Sequence, residues 1–217
     1  MNEDIFDFWN RCARGSFVHP DDSKVLARID HHFDLNCLPA PFTGPLKTAK
    51  IVLLFLAPGL GRDGFDRKHA ETDSGKDWYA TQLSGFAPLP GPLQHKPHFQ
   101  WWTSKAKQLG IPTEWAANNL AVLDLAPYHS ASFHDARFLA ALPSVRVCVG
   151  WAQRVLFPQA IAGERMVLCL RSPEFWGLKR GSVEGRALYS PDVTRGGHML
   201  HGVLRKMVAA EALALSR

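Results

Sequence analysis

Three places in the chain set polar side chains directly behind an apolar run. Residues 51–66, IVLLFLAPGLGRDGFD, stop at Ala57-Pro58-Gly59 and continue through a second glycine to Asp63, Phe65 and Asp66. Residues 118–130, NNLAVLDLAPYHS, place Asp124 ahead of an Ala-Pro pair and His129 and Ser130 behind it. Residues 165–173, RMVLCLRSP, end on Arg171-Ser172-Pro173. A backbone kept small and bare lets a flat ligand come close. His129 has the chemistry of a general acid or of a phosphate contact. Asp124, when ionised, accepts hydrogen bonds and donates none, which suits an exocyclic amine better than a carbonyl. A buried acid that caps a loop or pairs with an arginine is the structural alternative. Arg171, with Lys179, Arg180, Arg186 and Arg195, forms the one basic concentration near these ends, fit either for phosphate or for a solvated loop. Phe65 and Trp78 are candidates to stack on a base, as is the mixture of cations and rings in HKPHFQWW (95–102), where Trp101 and Trp102 are expected to split between core and surface.

Several other chemistries find no pattern. The histidines His31, His32, His95 and His98 are scattered, so His129 and His134 lack a third ligand and no metal or other cofactor is expected. The phosphate loop G-x-x-x-x-G-K-[ST] is absent, and GLGRDG begins G-x-G with no helix signal directly behind it. No G-x-S-x-G elbow occurs.

The runs that end on these residues lack alternation, which argues for strands buried on both faces, as in a parallel sheet covered by helices. Strands are expected over 50–57, 118–128, 145–151 (VRVCVGW) and 165–173. Helices are expected over 2–14, continuing in style through KVLARIDHHF, and over 76–83, 99–109, 135–144, 152–158 and 199–215. Residues 62–98 read as a long irregular loop, and long loops inside a compact domain are usually functional. The order predicts an α/β chain: a three-layer α/β/α sandwich around a mostly parallel four-stranded sheet. A single domain spans 1–217, with a helical segment over 1–40 and a core over 45–217. A proline directly behind three of the strands stiffens three loops that are expected to meet at one mouth, outside the carboxyl ends of the sheet.

Composition agrees with an ordinary globular protein. The 217 residues are 46% hydrophobic and 21% charged, enough for one sizeable core. The formal charge of +5 permits an anionic partner without requiring one. Cys12, Cys37, Cys148 and Cys169 show no C-x-x-C pair, and two of them lie in apolar runs, so disulfides are not expected. The acidic opening MNEDIFDFWNRC does not read as a signal peptide, and the expected location is cytoplasmic.

Over roughly residues 40–180 the order of these segments resembles the uracil-DNA glycosylase superfamily. PFTGPLKTAKIVLLFLAPG looks like its first buried strand and pocket loop, NLAVLDLAPYHS like its next strand, LAALPSVRVCVGWAQRVLF like the helix, strand and small-residue helix that follow, and VLCLRSP falls where a His-Pro-Ser-Pro-like loop presses the DNA backbone. The resemblance implies that fold, DNA or a nucleotide as partner, and hydrolysis of an N-glycosidic bond. It places Ala57, Pro58 and Gly59 on the floor of the base pocket, Asp124 at the edge of the flipped base, and Arg171 and Ser172 on the last loop. The water-holding positions of the first loop are Leu56 and Ala57, and neither positions water. The role then falls to Asp63 or Asp66, and the histidine of the last loop to His198, since its usual place is Arg171. A protein of the same fold that binds nucleic acid or a nucleotide without hydrolysis is the alternative.

Overall fold

A computed structural model describes residues 3–217. The architecture is mixed α/β, built on one six-stranded mixed sheet. In chain order the strands are β1 (Phe42–Thr43), β2 (Ile51–Phe55), β3 (Leu120–Asp124), β4 (Met166–Cys169), β5 (Ser182–Glu184) and β6 (Leu188–Ser190). In space they run β1-β3-β2-β4-β6-β5. β2 pairs in parallel with both β3 and β4, and β4 with β6, while β1 and β5 are antiparallel edges.

The missing alternation of the central strands has a direct cause: both faces are covered. Val52, Leu54, Ala121, Leu123, Val167 and Cys169 enter one core, with α1 (Ile5–Asn10), α7 (Pro143–Trp151) and α8 (Phe157–Ala162). Ile51, Leu53, Leu120, Val122, Met166 and Leu168 enter the other, with α5 (Lys96–Leu109), α6 (Thr113–Asn119) and α10 (Val203–Leu215). Trp102 belongs to this second core and Trp101 is half-buried against it, the split expected of the pair.

Several elements differ from expectation. VRVCVGW is not a strand: it lies in α7, which opens with Pro143 in its first turn. Its β-branched residues suggest a strand, but Val145 and Cys148 share a helical face packed into the first core, and burial overrides local propensity. The helix continues through a π turn at Ala152–Leu156 into α8, and Pro158, which lacks the amide for a regular ladder, follows that turn. Residues 62–98 are mostly helical, with a 3-10 turn at Arg62–Gly64, α3 (Phe65–Glu71), α4 (Asp73–Gln82) and the start of α5. Within 135–144, a 3-10 turn covers Ala136–Ala141. With 145–151 in a helix, β1 and, in and after the basic segment 177–186, β5 and β6 join β2, β3 and β4, so the sheet has six strands rather than four. The helix expected over 2–14 is the six-residue α1, and residue 2 lies outside the described residues. α2 (Pro20–Leu26) brings Asp22, fully buried, to the Tyr128 hydroxyl at 2.7 Å and the Ser144 amide at 3.0 Å, which ties the N-terminal segment to the loop after β3. Among the described residues no helix is long and apolar enough to cross a membrane.

Candidate functional site

The connection after β2 returns to β3 on one side, and β4 enters on the other, so the order reverses at β2; the carboxyl ends around such a strand form the crevice of an open α/β sheet. The loops after β2 and β3 are joined there. Leu125 and Ala126 donate to the carbonyls of Phe55 (3.0 Å) and Leu56 (2.9 Å), and Ser130 to that of Pro58 (3.1 Å). The His129 ring is fixed by its Nδ1 against the Gly59 carbonyl at 2.8 Å. A carbonyl only accepts, so Nδ1 carries the proton and Nε2 presents a lone pair. That Nε2 is buried with no partner. Burial lowers the basicity of His129, which favours the neutral ring with Nε2 as an acceptor.

Asp66, in the first turn of α3, faces the same place. Its carboxylate accepts from His95 Nε2 at 3.1 Å and from the Gly61 amide. His95 Nδ1 in turn accepts from the His98 amide at 3.2 Å, which assigns the donating proton to Nε2. Burial opposes the charged form of Asp66, but the His95 bond, the nearby His129 and the Gly61 amide outweigh it and hold the carboxyl below the usual range. Asp66 is therefore a buried carboxylate with its charge compensated. Asp63, by contrast, is exposed on a left-handed backbone (φ 60°).

Aromatic rings form a wall from Asp66 to the sheet. Phe65 stacks on His69 (centroids 5.4 Å) and meets His95 edge-on (4.8 Å). Trp78 lies 5.0 Å from His95, His98 5.5 Å from Trp101, and Trp101 5.0 Å from Phe55. His69 Nε2 and Trp78 Nε1 are also buried without partners. With His129 Nε2 these make three buried polar atoms on one wall open to a partner. Burial, and then His95, lowers the basicity of His69, and burial takes His98 down to about 3.

Beyond Phe55 the wall becomes cationic. Lys105 is buried, its ammonium 5.7 Å from the Phe55 ring and 5.6 Å from Trp101, donating to the carbonyls of Gly196 (2.8 Å) and Gly197 (3.1 Å). Burial and Arg171 bring its pKa down to about 8. Arg171 donates to the Arg195 carbonyl, and burial and Arg195 lower its basicity. His198, on the exposed side, is lowered chiefly by Lys105. Ser172 turns the chain in a left-handed conformation (φ 48°), which for a non-glycine residue is a strained position of the kind found at functional sites. Lys105, Arg171 and His198 put basic side chains near one another at this end of the sheet, which suits an anion.

Asp124 closes β3 beside Phe55, its register partner on β2. It is 7% exposed, and no charged partner offsets its burial, which raises its pKa well above the ordinary carboxyl value. Burial thus favours the neutral form of this acid.

No family model, curated protein or solved structure matches the chain. The site therefore rests on its own geometry. Of the residues singled out from sequence, Phe65 and Trp78 meet at His95, Gly59 holds His129, Pro58 accepts from Ser130, and Ala57 packs against the first core. Arg171 and His198 both lie near Lys105, Ser172 follows Arg171, Asp124 closes β3 opposite Phe55, and Asp63 is exposed. Sequence reasoning passed over His69 and Lys105 as candidates for this site and named His95 only within the mixed stretch 95–102. Asp66 with His69, and His95 with His98, carry an i, i+3 spacing that puts each pair on one helical face, but that signal appears only once 62–98 is known to be helical. Lys105 carries none, because a lysine on a helix reads as solvated. Among the described residues no group of three His, Cys, Asp or Glu side chains forms a metal site.

Proposed function

We propose that this crevice takes a nucleobase turned out of a nucleic acid and hydrolyses its N-glycosidic bond, on a three-layer α/β/α fold like that of the uracil-DNA glycosylases. The observation that carries the reading is the unpartnered, neutral Nε2 of His129 beside the charge-compensated Asp66, on a wall of aromatic rings. The two cores that cover opposite faces of the sheet support the layered fold, and the cationic group at Lys105 and Arg171 supports a phosphate-bearing substrate. Cys12, Cys37, Cys148 and Cys169 are all unpaired, which suits the reducing cytoplasm.

The chemistry follows from these groups. A water donates to His129 Nε2. As the bond between C1′ and the base nitrogen breaks, its electron pair leaves with the base, and the Asp66 carboxylate stabilises the positive charge that develops on the sugar. The water oxygen bonds to C1′ and its proton passes to Nε2. Aromatic faces hold the base. One observation favours the non-hydrolysing alternative: Leu56 is buried in the core and Ala57 is apolar, so the first loop itself holds no water.

Labelled oligonucleotides carrying uracil, hypoxanthine, xanthine or a T·G mismatch, incubated with the protein and then treated with alkali, decide between the two. Strand cleavage that falls about a hundredfold or more in His129→Ala is the expected result, the range for loss of a general base. Salt-sensitive binding without cleavage would leave a reader of nucleic acid, and neither binding nor cleavage would remove nucleic acid altogether.

A further inference from the structure

The loop that follows β3 meets the segment that follows α2, where the Asp34 amide donates to the His129 carbonyl at 2.8 Å. Asp135, further along that loop, is 1% exposed, and both its oxygens are taken by His32. Oδ2 accepts from the His32 amide at 2.9 Å, and Oδ1 faces the ring Nδ1 at 3.2 Å. A carboxylate only accepts, so Nδ1 carries a proton and Nε2 is the nitrogen left free. The His32 side chain is 58% exposed. Burying a carboxylate is costly. Here it fixes the tautomer and orientation of a surface ring, which is what carboxylates do behind histidines that bind metal. The ring of His134 stands 5.6 Å from that of His32, at an interplanar angle of 63°. Its Nε2 lies 2.8 Å from the Ser132 hydroxyl, which accepts as readily as it donates and so leaves Nδ1 open. Two imidazoles on one tetrahedral ion, with metal–nitrogen bonds of about 2.0–2.1 Å, hold their centroids roughly 5 Å apart. Small rotations of two exposed side chains reach that spacing. His31 packs its ring against Phe33 instead.

We propose that His32 and His134 bind one divalent transition-metal ion of the class that prefers imidazole (zinc, nickel or copper), with Asp135 positioning His32 and water filling the remaining positions. The site has two protein ligands rather than three, and its second shell is already built. The charge of the ion also offsets the buried Asp135 carboxylate. Once bound, the ion ties the segment after α2 to the loop after β3, on either side of the Asp34–His129 bond. The proposal does not depend on the reading of the crevice as a base pocket, because it uses none of the residues assigned there.

Titration calorimetry of the full chain with zinc chloride, at neutral pH in a non-coordinating buffer, should show one saturating equivalent, and the same zinc should raise the melting temperature. His32→Ala and His134→Ala should each weaken binding by roughly tenfold or more and remove the thermal shift; both side chains are exposed, so neither change disturbs the core. Asp135→Asn should weaken binding by about 10- to 100-fold, the range for loss of a carboxylate behind a ligating histidine. His201→Ala, at an exposed histidine elsewhere, should leave binding unchanged. Copper(II) added at one equivalent should give an electron paramagnetic resonance spectrum split by two imidazole nitrogens. Absence of saturable zinc and copper binding, binding that survives both His32→Ala and His134→Ala, or binding lost in His201→Ala overturns the proposal, and none of these results bears on base release.

Discussion

His129, His69 and His98 are imidazoles that the fold keeps uncharged, and Asp66 is a carboxyl that it keeps charged. In the unfolded chain each histidine takes up a proton near pH 6.5. In the folded chain burial holds their protonation to lower pH, down to about 3 for His98. As pH falls below 6.5 the unfolded state therefore binds more protons than the folded one, and stability declines across that window. Asp66 acts lower down: its depressed folded value makes a contribution that is present above the unfolded carboxyl value of about 3.9 and is lost as pH falls through the folded one. Each of the three histidines should thus lower the melting temperature from pH 7 to pH 5, while Asp124, whose folded value burial raises, opposes that fall over the same window. His98→Phe, which keeps a ring between Trp78 and Trp101, should flatten that fall; an unchanged slope in differential scanning fluorimetry would show that His98 is not among the groups responsible.

At the scale of elements, the site depends on two turns that demand glycine for different reasons. At Gly75, in the first turn of α4, an added Cβ would meet the His69 carbonyl oxygen at 1.8 Å, so the α3–α4 junction closes only around a hydrogen atom. Gly75→Ala should cost about 1–3 kcal/mol in urea unfolding, as overpacking does, and should displace His69. At Gly59 an added Cβ meets nothing within 4 Å, so the fold does not need the glycine. Gly59→Ala should leave stability within about 0.5 kcal/mol of wild type. If the bare backbone after β2 exists to admit a flat ligand, the same substitution should reduce base release at least tenfold; full activity in Gly59→Ala would mean that the ligand does not approach there.

The whole molecule offers its cations unevenly. A formal charge of +5 is modest for a nucleic-acid partner, but Lys105, Arg171, Arg195 and His198 bring basic groups to the same end of the sheet as the ring-lined wall. The affinity for an oligonucleotide should fall with salt, and Arg171→Gln should weaken binding uniformly across sequences while reducing the slope of log affinity against log salt by about 1. A slope unchanged in Arg171→Gln would take that side chain off the phosphate path.

How much of this is legible in the chain itself depends on the range of the forces involved. Strands β2, β3 and β4 announce themselves in IVLLF, LAVLD and MVLC, because a segment buried on both faces is apolar throughout, and the prolines behind them mark their ends. Ala57, Pro58, Gly59 and His129 could be nominated from those ends alone. VRVCVGW could not be resolved, because a short apolar run fits a buried strand or a buried helix, and packing against the first core decides for α7. The helices of 62–98 were hidden by their glycines, prolines and charges, and with them the approach of Asp66 to His95 across 29 positions of sequence. The state of Asp124 was beyond reach for the same reason. An aspartate's charge is set by what surrounds it, and only the folded sheet supplies the burial that disfavours its ionisation. Local pattern determined where the strands end; the tertiary structure decided which side chains meet there and which of them carry charge.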